Sequence, residues 1–460
     1  MSRLKQGGSM FSKSSDCARS AVLLGLILGC TAAASHEPTL KDAYKGDFVI
    51  GAAMDAGDIT GQNQRDDAII ETQFNSISPE NVLKWEIVHP QPGSYNFDLA
   101  DKYVAFGLEQ HMWIHGHTLV WHNQVPAWVF RDDKGNLVDR DTLLARMHDH
   151  ILTVVGRYKG KIQSWDVVNE ALNEDGTLRQ SLWYKIIGPD YIEKAFAYAH
   201  EADSQAQLVY NDYNLENEPK RSGAIALIKK LKAEGIPIGC VGLQGHESLT
   251  WPTPEQEDAT IAGFAALGVK VAISELDVDV LPSSGTQPTA DVSVHIQQNA
   301  ALNPYVNGLP DSVAQQQAAH YVDLFRVFLK HRDTVERVTF WGVTDATSWR
   351  NDFPVRGRTN YPLLFDRSEQ PKPAFDAIIR VAAEASQRLR PLTGWDRGSP
   401  FVRYQIPNNR IAQRQVRSPV FRRRESNLLA IPALNGKKPH VAKRDQCTEA
   451  KNRKSNRDHQ

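Results

Sequence analysis

The chain has 460 residues, 41% of them hydrophobic, which is enough to bury a large core and to form a barrel domain of roughly 250–350 residues. Its formal net charge of −1 hides an uneven distribution, because residues 381–460 carry 18 Lys and Arg against 6 Asp and Glu. The four cysteines form neither a disulfide framework nor a metal-binding spacing. Cys240, in the apolar segment 239–243, is expected to be a small buried hydrophobic residue.

The first 35 residues have the order of a secretory signal peptide. The basic residues at its start are Arg3, Lys5, Lys13 and Arg19. An apolar run at 21–28, too short to span a bilayer, and small residues at 31–35 follow them. Cleavage after Ala34 fits this pattern; alternatively, Cys30 ends a stretch that resembles a bacterial lipobox, although the bulky Leu28 argues against lipidation. We expect a secreted protein, extracellular or periplasmic, that meets a membrane only through a lipid anchor at Cys30.

Short apolar segments alternate with amphipathic ones from residue 48 onward. The segments predicted to be strands, most of them buried on both faces, are 48–54, 74–78, 113–119, 162–168, 207–210, 239–243, 269–274 and 337–343. Apolar residues recur with a period near 3.6 in 141–158, 222–234, 313–330 and 374–383, which predicts helices. Because parallel strands need crossovers and eight of them can close into a cylinder, the predicted fold class is α/β, a (β/α)₈ TIM barrel.

The predicted domains are a signal segment at 1–35, a catalytic barrel at 37–385 and a basic tail at 386–460. The connection at 281–311, rich in Pro, Gly and Ser, is expected to be an irregular loop at the catalytic face. The tail has a net charge of +12 over residues 381–460 and few aromatic residues. It is expected to be disordered, and a contact with nucleic acid, anionic lipid or an acidic wall polymer is the alternative.

Polar residues follow the apolar runs where the carboxyl ends of barrel strands are expected, and this is the end at which TIM barrels hold their active sites. Asn169 and Glu170 end the fourth run, and Glu275 lies near the end of the seventh. Glycoside hydrolysis requires at least two such carboxylates. Taken alone, a glutamate at a strand end is more often a structural ion pair. His115 and His117 share one strand face and could bind a metal, but no third ligand follows at a suitable spacing.

Residues 40–382 resemble glycoside hydrolase family 10, which consists mainly of endo-β-1,4-xylanases. The stretches that carry the resemblance are PENVLKWE, HGHTLVWHNQVPAW, WDVVNEA, YNDYN, LQGH, ISELD and FWGVTD…SW. They occur in this order on consecutive predicted strands and cover about three quarters of the chain. The signal segment and the basic tail lie outside the resemblance.

The resemblance implies that Glu170 is the acid/base and Glu275 the nucleophile of a retaining double displacement. Glu170 must begin protonated, so its pKa is expected to be raised by burial and by its anionic neighbour, whereas Glu275 stays ionised. His246 and Asp277 are expected to support the nucleophile with hydrogen bonds. Asn169 is expected to contact the 2-hydroxyl of the sugar, where hydrogen bonds tighten in the transition state.

The resemblance also implies a set of substrate-binding residues. They are Glu80, Asn81, Lys84, His117, Trp121, Gln124 and Gln244, with Trp341 and Trp349 as aromatic walls and Tyr213 as a stacking residue on the aglycone side. Lys84 can donate to xylose hydroxyls while leaving little space for the hydroxymethyl group of glucose, which would favour xylan over cellulose. No metal and no cofactor are expected.

The expected partners are xylan and xylo-oligosaccharides, acted on by a monomer, with no nucleic acid. Two other functions stay open at this point. One is another retaining β-1,4-glycanase, such as a cellulase or a mixed-linkage glucanase. The other is a carbohydrate-binding barrel without catalysis, which the presence of both carboxylates disfavours.

Overall fold

A computed structural model of the protein describes residues 38–283 and 291–389, and side chains to residue 387. Within these ranges, eight parallel strands form a closed barrel. The barrel strands are β1 (Val49–Met54), β2 (Ser76–Pro79), β3 (Trp113–Gly116), β4 (Ser164–Asn169), β5 (Gln207–Asp212), β6 (Cys240–Leu243), β8 (Lys270–Asp279) and β9 (Val335–Phe340). β1 pairs with β9 and β6 pairs with β8, which closes the cylinder. The predicted barrel is confirmed, with strand ends shifted by a few residues.

The sequence pattern missed a ninth strand, β7 (His246–Ser248), and the second half of β8. β7 pairs with β8 beyond the barrel rim, where His246 is opposite Asp277. β8 was predicted to end at residue 274 because polar residues interrupt its apolar run there. Its pairing with β9 shifts register between Ile273 and Leu276, so Glu275 lies in an irregular part of the strand.

The helices lie on the outside of the barrel and in the connections at its ends. They are α1 (Leu40–Ala43), α2 (Ala56–Ile59), α3 (Gln64–Gln73), α4 (Trp85–Val88), α5 (Asp98–Glu109), α6 (Arg140–Arg157), α7 (Leu182–Ile187), α8 (Tyr191–Ala202), α9 (Glu218–Ala233), α10 (Pro254–Ala265), α11 (Asp311–Lys330) and α12 (Pro373–Leu389). Short 3₁₀ turns occur at Ala127–Val129, Ala300–Leu302 and Trp349–Asn351. The four helices predicted from periodicity are confirmed as α6, α9, α11 and α12. None of the described helices is long and apolar enough to cross a bilayer.

α6 shows how local sequence sets a helix and its buried face. The side chain of Asp139 accepts a hydrogen bond from the backbone N–H of Thr142 at 2.8 Å, which satisfies one of the free donors of the first turn. Leu143, Met147 and Ile151 then recur on one side and are fully buried against the barrel. α10 begins similarly with a capping box between Thr253 and Gln256. α9 is followed by Gly235 at φ +73°, a left-handed conformation that favours glycine.

The connection from β8 to α11 is irregular in its described part, apart from the 3₁₀ turn Ala300–Leu302, as the sequence predicted. α12 continues to Leu389, beyond the predicted domain end at 385. The predicted signal segment, with Cys30 and Ala34, and the basic tail beyond residue 389 lie outside the described residues.

Polar residues fill the barrel beneath the carboxyl ends of the strands. Asp166, on β4, is buried and lies 3.0 Å from Nε2 of His115 and 2.9 Å from Nδ1 of His117. Burial opposes ionisation of Asp166, but the two imidazoles hold the pKa of this carboxyl well below its usual range. Position 116, next to these residues on β3, requires glycine, because a Cβ there would lie 2.2 Å from the ring of Trp165.

Candidate active site

A cavity of about 120 Å³ opens at the carboxyl ends of the barrel strands. Its lining consists of Glu80, Asn81, Lys84, His117, Trp121, Gln124, Asn169, Glu170, Gln244, His246, Glu275, Val292, Trp341 and Trp349. All the predicted catalytic and substrate-binding residues except Asp277 and Tyr213 are therefore brought together around one space. Val292 is the single lining residue that was not predicted.

Glu170 follows directly after β4 and is 3% exposed. Its Oε2 accepts a hydrogen bond from the indole of Trp121 at 2.8 Å, and its Oε1 accepts one from the amide of Gln244 at 3.1 Å. The backbone at Glu170 is left-handed, with φ +57°, which is uncommon for a residue other than glycine. These contacts hold the carboxyl group toward the cavity, and no cation among the described residues lies at hydrogen-bond distance from it.

The environment of Glu170 favours its protonated form. Burial raises the pKa of Glu170 to about 7; Asp212 and Glu275 add to the rise, and the hydrogen bonds from Trp121 and Gln244 oppose it. Asp212 has a larger influence than Glu275, which is a difference from the sequence-based expectation. Asp212 is fully buried beneath the site, 2.9 Å from the ammonium of Lys220.

Glu275 is held by contacts at both of its carboxylate oxygens. Its Oε1 accepts a hydrogen bond from the amide of Asn211 at 2.7 Å, and its Oε2 lies 3.1 Å from Nε2 of His246. Asn211 in turn accepts a hydrogen bond from Ser274 at 2.6 Å. Gly242 makes room for this amide, because a Cβ there would lie 2.2 Å from Oδ1 of Asn211. Each oxygen of Glu275 therefore has a hydrogen-bonding partner inside the protein.

His246 connects Glu275 to a second buried carboxylate. Nδ1 of His246 lies 2.9 Å from Oδ2 of Asp277, so both ring nitrogens face carboxylate oxygens. Burial opposes a charged ring, but Asp277 and Glu275 raise the pKa of His246 above its usual value. Asp277 also accepts hydrogen bonds from Nε of Arg350 at 2.9 Å and from the indole of Trp349 at 2.7 Å. Although burial opposes it, Arg350 and His246 lower the pKa of Asp277.

One group of three possible metal ligands occurs among the described residues, and it lies at this site. It consists of His117, Asp166 and Glu275, with one ligand atom from each within 4.8 Å of the others. Asp166 already accepts a hydrogen bond from His117, and Glu275 accepts one from Asn211. Each of the three residues is thus already engaged in a hydrogen bond within the protein.

Amides and one ammonium group form the wall opposite these carboxylates. Nζ of Lys84 donates to Oδ1 of Asn81 at 2.9 Å and to Oε1 of Gln124 at 2.8 Å, and it lies 4.9 Å from the ring centroid of Trp121. Burial lowers the pKa of Lys84, and Glu80, Glu275 and Glu170 oppose this effect. The pKa of Glu80 is raised by burial. This wall offers donors and acceptors to sugar hydroxyls.

Trp341 and Trp349 stand on the side of β9, as predicted. Trp341 packs edge-on against His117, with ring centroids 5.3 Å apart, and Trp349 lies 4.7 Å from the ring of His246. Both indoles line the cavity and can pack on a sugar ring.

Tyr213 does not have the position expected of a stacking residue. Its ring is 3% exposed, and the ammonium of Lys220 lies 3.5 Å from the ring centroid. Its hydroxyl accepts a hydrogen bond from Arg179 at 2.9 Å. Because one face is covered and the ring is buried, Tyr213 presents no open face to a sugar in this structure.

Several residues that contact the site had no role in the prediction from sequence. Asn211 and Asp212 belong to the stretch YNDYN, but nothing in the pattern indicated that they act on Glu275 and Glu170. Arg350 follows Trp349 directly, and Val292 lies in a loop without periodicity. The only available signal was position, since two of these residues, Asn211 and Asp212, lie at the end of β5.

Comparisons with known proteins agree with this geometry. Residues 39–381 match the sequence model described as glycosyl hydrolase family 10. The chain is 44% identical to endo-1,4-beta-xylanase A of Xylanibacter ruminicola over 359 residues, which is 78% of this chain and 97% of the relative.

Solved structures resemble the same part of the chain. A GH10 endoxylanase retrieved from a sugarcane soil metagenome is 47% identical, with a TM-score of 0.73 over 74% of this chain and 99% of the other. A mutant of the xylanase from Thermoanaerobacterium saccharolyticum, solved in complex with xylotriose, is 38% identical, with a TM-score of 0.65 over 74% of this chain and 98% of the other. The predicted family is confirmed: this chain belongs to glycosyl hydrolase family 10.

Proposed function

We propose that this protein hydrolyses internal β-1,4-xylosidic bonds of xylan with retention of anomeric configuration. The observation that carries the proposal is the contrast between two buried carboxyl groups in one cavity. Glu170 has its pKa raised to about 7, whereas both oxygens of Glu275 face donors. A retaining glycosidase needs one protonated and one ionised carboxyl group at the start of the reaction.

In the first step, the carboxylate of Glu275 attacks the anomeric carbon as the bond to the leaving-group oxygen breaks. Glu170 gives its proton to that oxygen, and a covalent glycosyl-enzyme results. In the second step, Glu170 takes a proton from water, the resulting hydroxide attacks the anomeric carbon, and Glu275 leaves as a carboxylate. Each carboxyl group thus ends in the protonation state in which it began.

His246 and Asn211 orient the nucleophile, and Asp277 keeps His246 charged and in place. The amide of Asn169 has a further part. Its Oδ1 accepts hydrogen bonds from Asn211 and Gln244 at 3.0 and 3.3 Å. Its NH₂ group donates one hydrogen bond to Oε1 of Glu170 at 3.4 Å, which leaves the second N–H for the 2-hydroxyl of the sugar. Such a bond strengthens as the transition state forms.

Xylan is the substrate class that this site suits best. A family member that is 38% identical was solved in complex with xylotriose, which supports a xylo-oligosaccharide as the substrate. Lys84, held by Asn81 and Gln124, can donate to xylose hydroxyls and occupies space that the hydroxymethyl group of glucose would need. Trp341 and Trp349 would pack on the sugar rings.

The experiment is hydrolysis of linear xylan and of carboxymethyl cellulose by the purified chain, with NMR of the first products. We expect internal cleavage of xylan, little release from cellulose, and β-anomers before mutarotation. Early α-anomers, or a faster reaction on cellulose, would refute the proposal.

We also propose that the protein is secreted as a monomer. The order of basic, apolar and small residues in the first 35 positions supports secretion. The insolubility of a polymeric substrate also supports secretion. N-terminal sequencing of the mature protein distinguishes cleavage after Ala34 from processing before a lipidated Cys30.

A further inference from the structure

The connection between β8 and α11 returns to the loop that follows Glu170. In its described part, Oδ2 of Asp291 accepts a hydrogen bond from Nη1 of Arg179 at 3.1 Å. The two side chains are 20% and 17% exposed, so this ion pair is largely shielded from solvent. The next residue, Val292, lines the active-site cavity. This ion pair is one of the contacts that hold the connection, together with the hydrogen bond from the backbone N–H of Ile296 to the carbonyl of Pro354 at 2.9 Å, and the residue after Asp291 lines the substrate space.

Arg179 joins this connection to the acid/base itself. Its Nε donates to the backbone oxygen of Glu170 at 3.1 Å, and its Nη2 donates to the hydroxyl of Tyr213 at 2.9 Å. A guanidinium group is planar and rigid, so these contacts fix the relative positions of the groups that share it. Asp291 and Glu170 are thus held at a fixed distance from each other through one side chain.

We propose that Asp291 anchors Val292 beside the departing sugar and that Val292 determines which leaving groups the enzyme accepts. This inference rests on the proposed function, because an acid/base protonates the oxygen of the departing sugar and so stands on that side of the broken bond. Valine has no hydrogen-bonding group, so it contacts the C–H face of the sugar. Its bulk in a narrow cavity favours an unsubstituted xylose at the departing position over one that carries a side-chain sugar.

The test compares Asp291→Ala, Val292→Ala and the double variant with the wild type on end-labelled xylohexaose. Asp133→Ala is the matched control, because it removes an exposed aspartate far along the chain from this connection. We expect each single variant to lower kcat/KM by about threefold to tenfold and to move the preferred cleavage position. If Asp291 acts by placing Val292, the double variant should be no worse than the poorer single variant.

Two further measurements separate positioning from general damage. On an aryl xylobioside with a good leaving group, the single variants should keep rates within about twofold of the wild type, because no departing sugar is present. The rate on arabinose-substituted relative to linear oligosaccharides should rise in Val292→Ala. Provided that the wild type cleaves xylan, two results would overturn the inference. One is a double variant in which the losses of the two single variants multiply, and the other is a wild-type cleavage pattern in both single variants. Failure of the wild type on xylan would instead refute the proposed function.

Discussion

Nε2 of His246 lies 3.1 Å from Oε2 of Glu275, while the other nitrogen of the same ring faces Asp277 at 2.9 Å. A neutral imidazole has one N–H and could donate to only one of these carboxylates. The charged ring satisfies both, and the two carboxylates raise the pKa of His246 against the effect of burial. The charged ring can therefore donate to Glu275 and to Asp277 at the same time.

The first prediction concerns pH. The value of kcat/KM on xylohexaose should fall above pH 7, because the pKa of Glu170 is raised to about 7 and the ionised form cannot protonate the leaving group. Asp212 is the second cause of this rise, so Asp212→Asn should move the alkaline limb to lower pH. The measurement is a pH–rate profile of both proteins. An alkaline limb that Asp212→Asn leaves in place would show that Asp212 does not tune the acid.

The second prediction concerns Gly242 on β6. In Gly242→Ala the new Cβ would lie 2.2 Å from Oδ1 of Asn211, which must move and weaken its bond to Glu275. We expect kcat to fall by on the order of 10- to 100-fold. Gly156→Ala in α6 is the control, since nothing lies within 4 Å of its Cβ. The control should keep wild-type kinetics and gain about 0.5–1 kcal/mol in free energy of unfolding. Equal kinetics in both variants would contradict the role of Asn211.

The third prediction concerns the choice of sugar. Lys84→Ala should lower kcat/KM on an aryl xylobioside by at least about tenfold, because charged hydrogen bonds to hydroxyls are lost. The loss on the matching cellobioside should be smaller, since removing Lys84 also opens space for the hydroxymethyl group. Lys134→Ala, which changes an exposed lysine, serves as the control. A xylobioside-to-cellobioside ratio that stays constant in Lys84→Ala would mean that Lys84 does not select xylose.

The fourth prediction concerns the C-terminal tail. Truncation after Leu389, the end of α12, should leave xylanase activity and the thermal midpoint nearly unchanged. The barrel is closed by β9 and covered by α12, whereas residues 381–460 hold 18 cations against 6 anions, with scattered apolar residues and few aromatic ones. Melting curves and xylan assays of both proteins measure this. A midpoint lowered by several degrees would show that the tail packs on the barrel.

The barrel could be predicted from sequence because its strands are buried on both faces and read as apolar runs. The ends of β3 and β8 could not: β3 ends at Gly116, before its predicted end at 119, and β8 continues to Asp279 although its sequence turns polar after residue 274. Residues such as Lys84 and Gln244 were found through motifs that resemble a known family. Arg179, Asp212 and Arg350 contact the site from positions distant in sequence, and no periodicity encodes those contacts.

Tyr213 illustrates the same limit. Its motif suggested a surface on which a sugar could stack, but burial of a side chain depends on neighbours that are remote in the chain. The ammonium of Lys220, on α9, covers its ring, and Arg179 binds its hydroxyl. A motif can identify the residue type at a site without determining which face of the side chain is free.

The most direct test of the assignment of Glu170 and Glu275 is covalent trapping with a 2-fluoro aryl xylobioside. The fluorine slows both steps, and the good leaving group needs no proton, so the glycosyl-enzyme accumulates. Mass spectrometry of the digested protein should place the added fluoroxylobiosyl group on the peptide that contains Glu275. Glu275→Gln should not be labelled, whereas Glu170→Ala should be. A label on Glu170 or on any other residue, or no label on the active protein, would contradict the account.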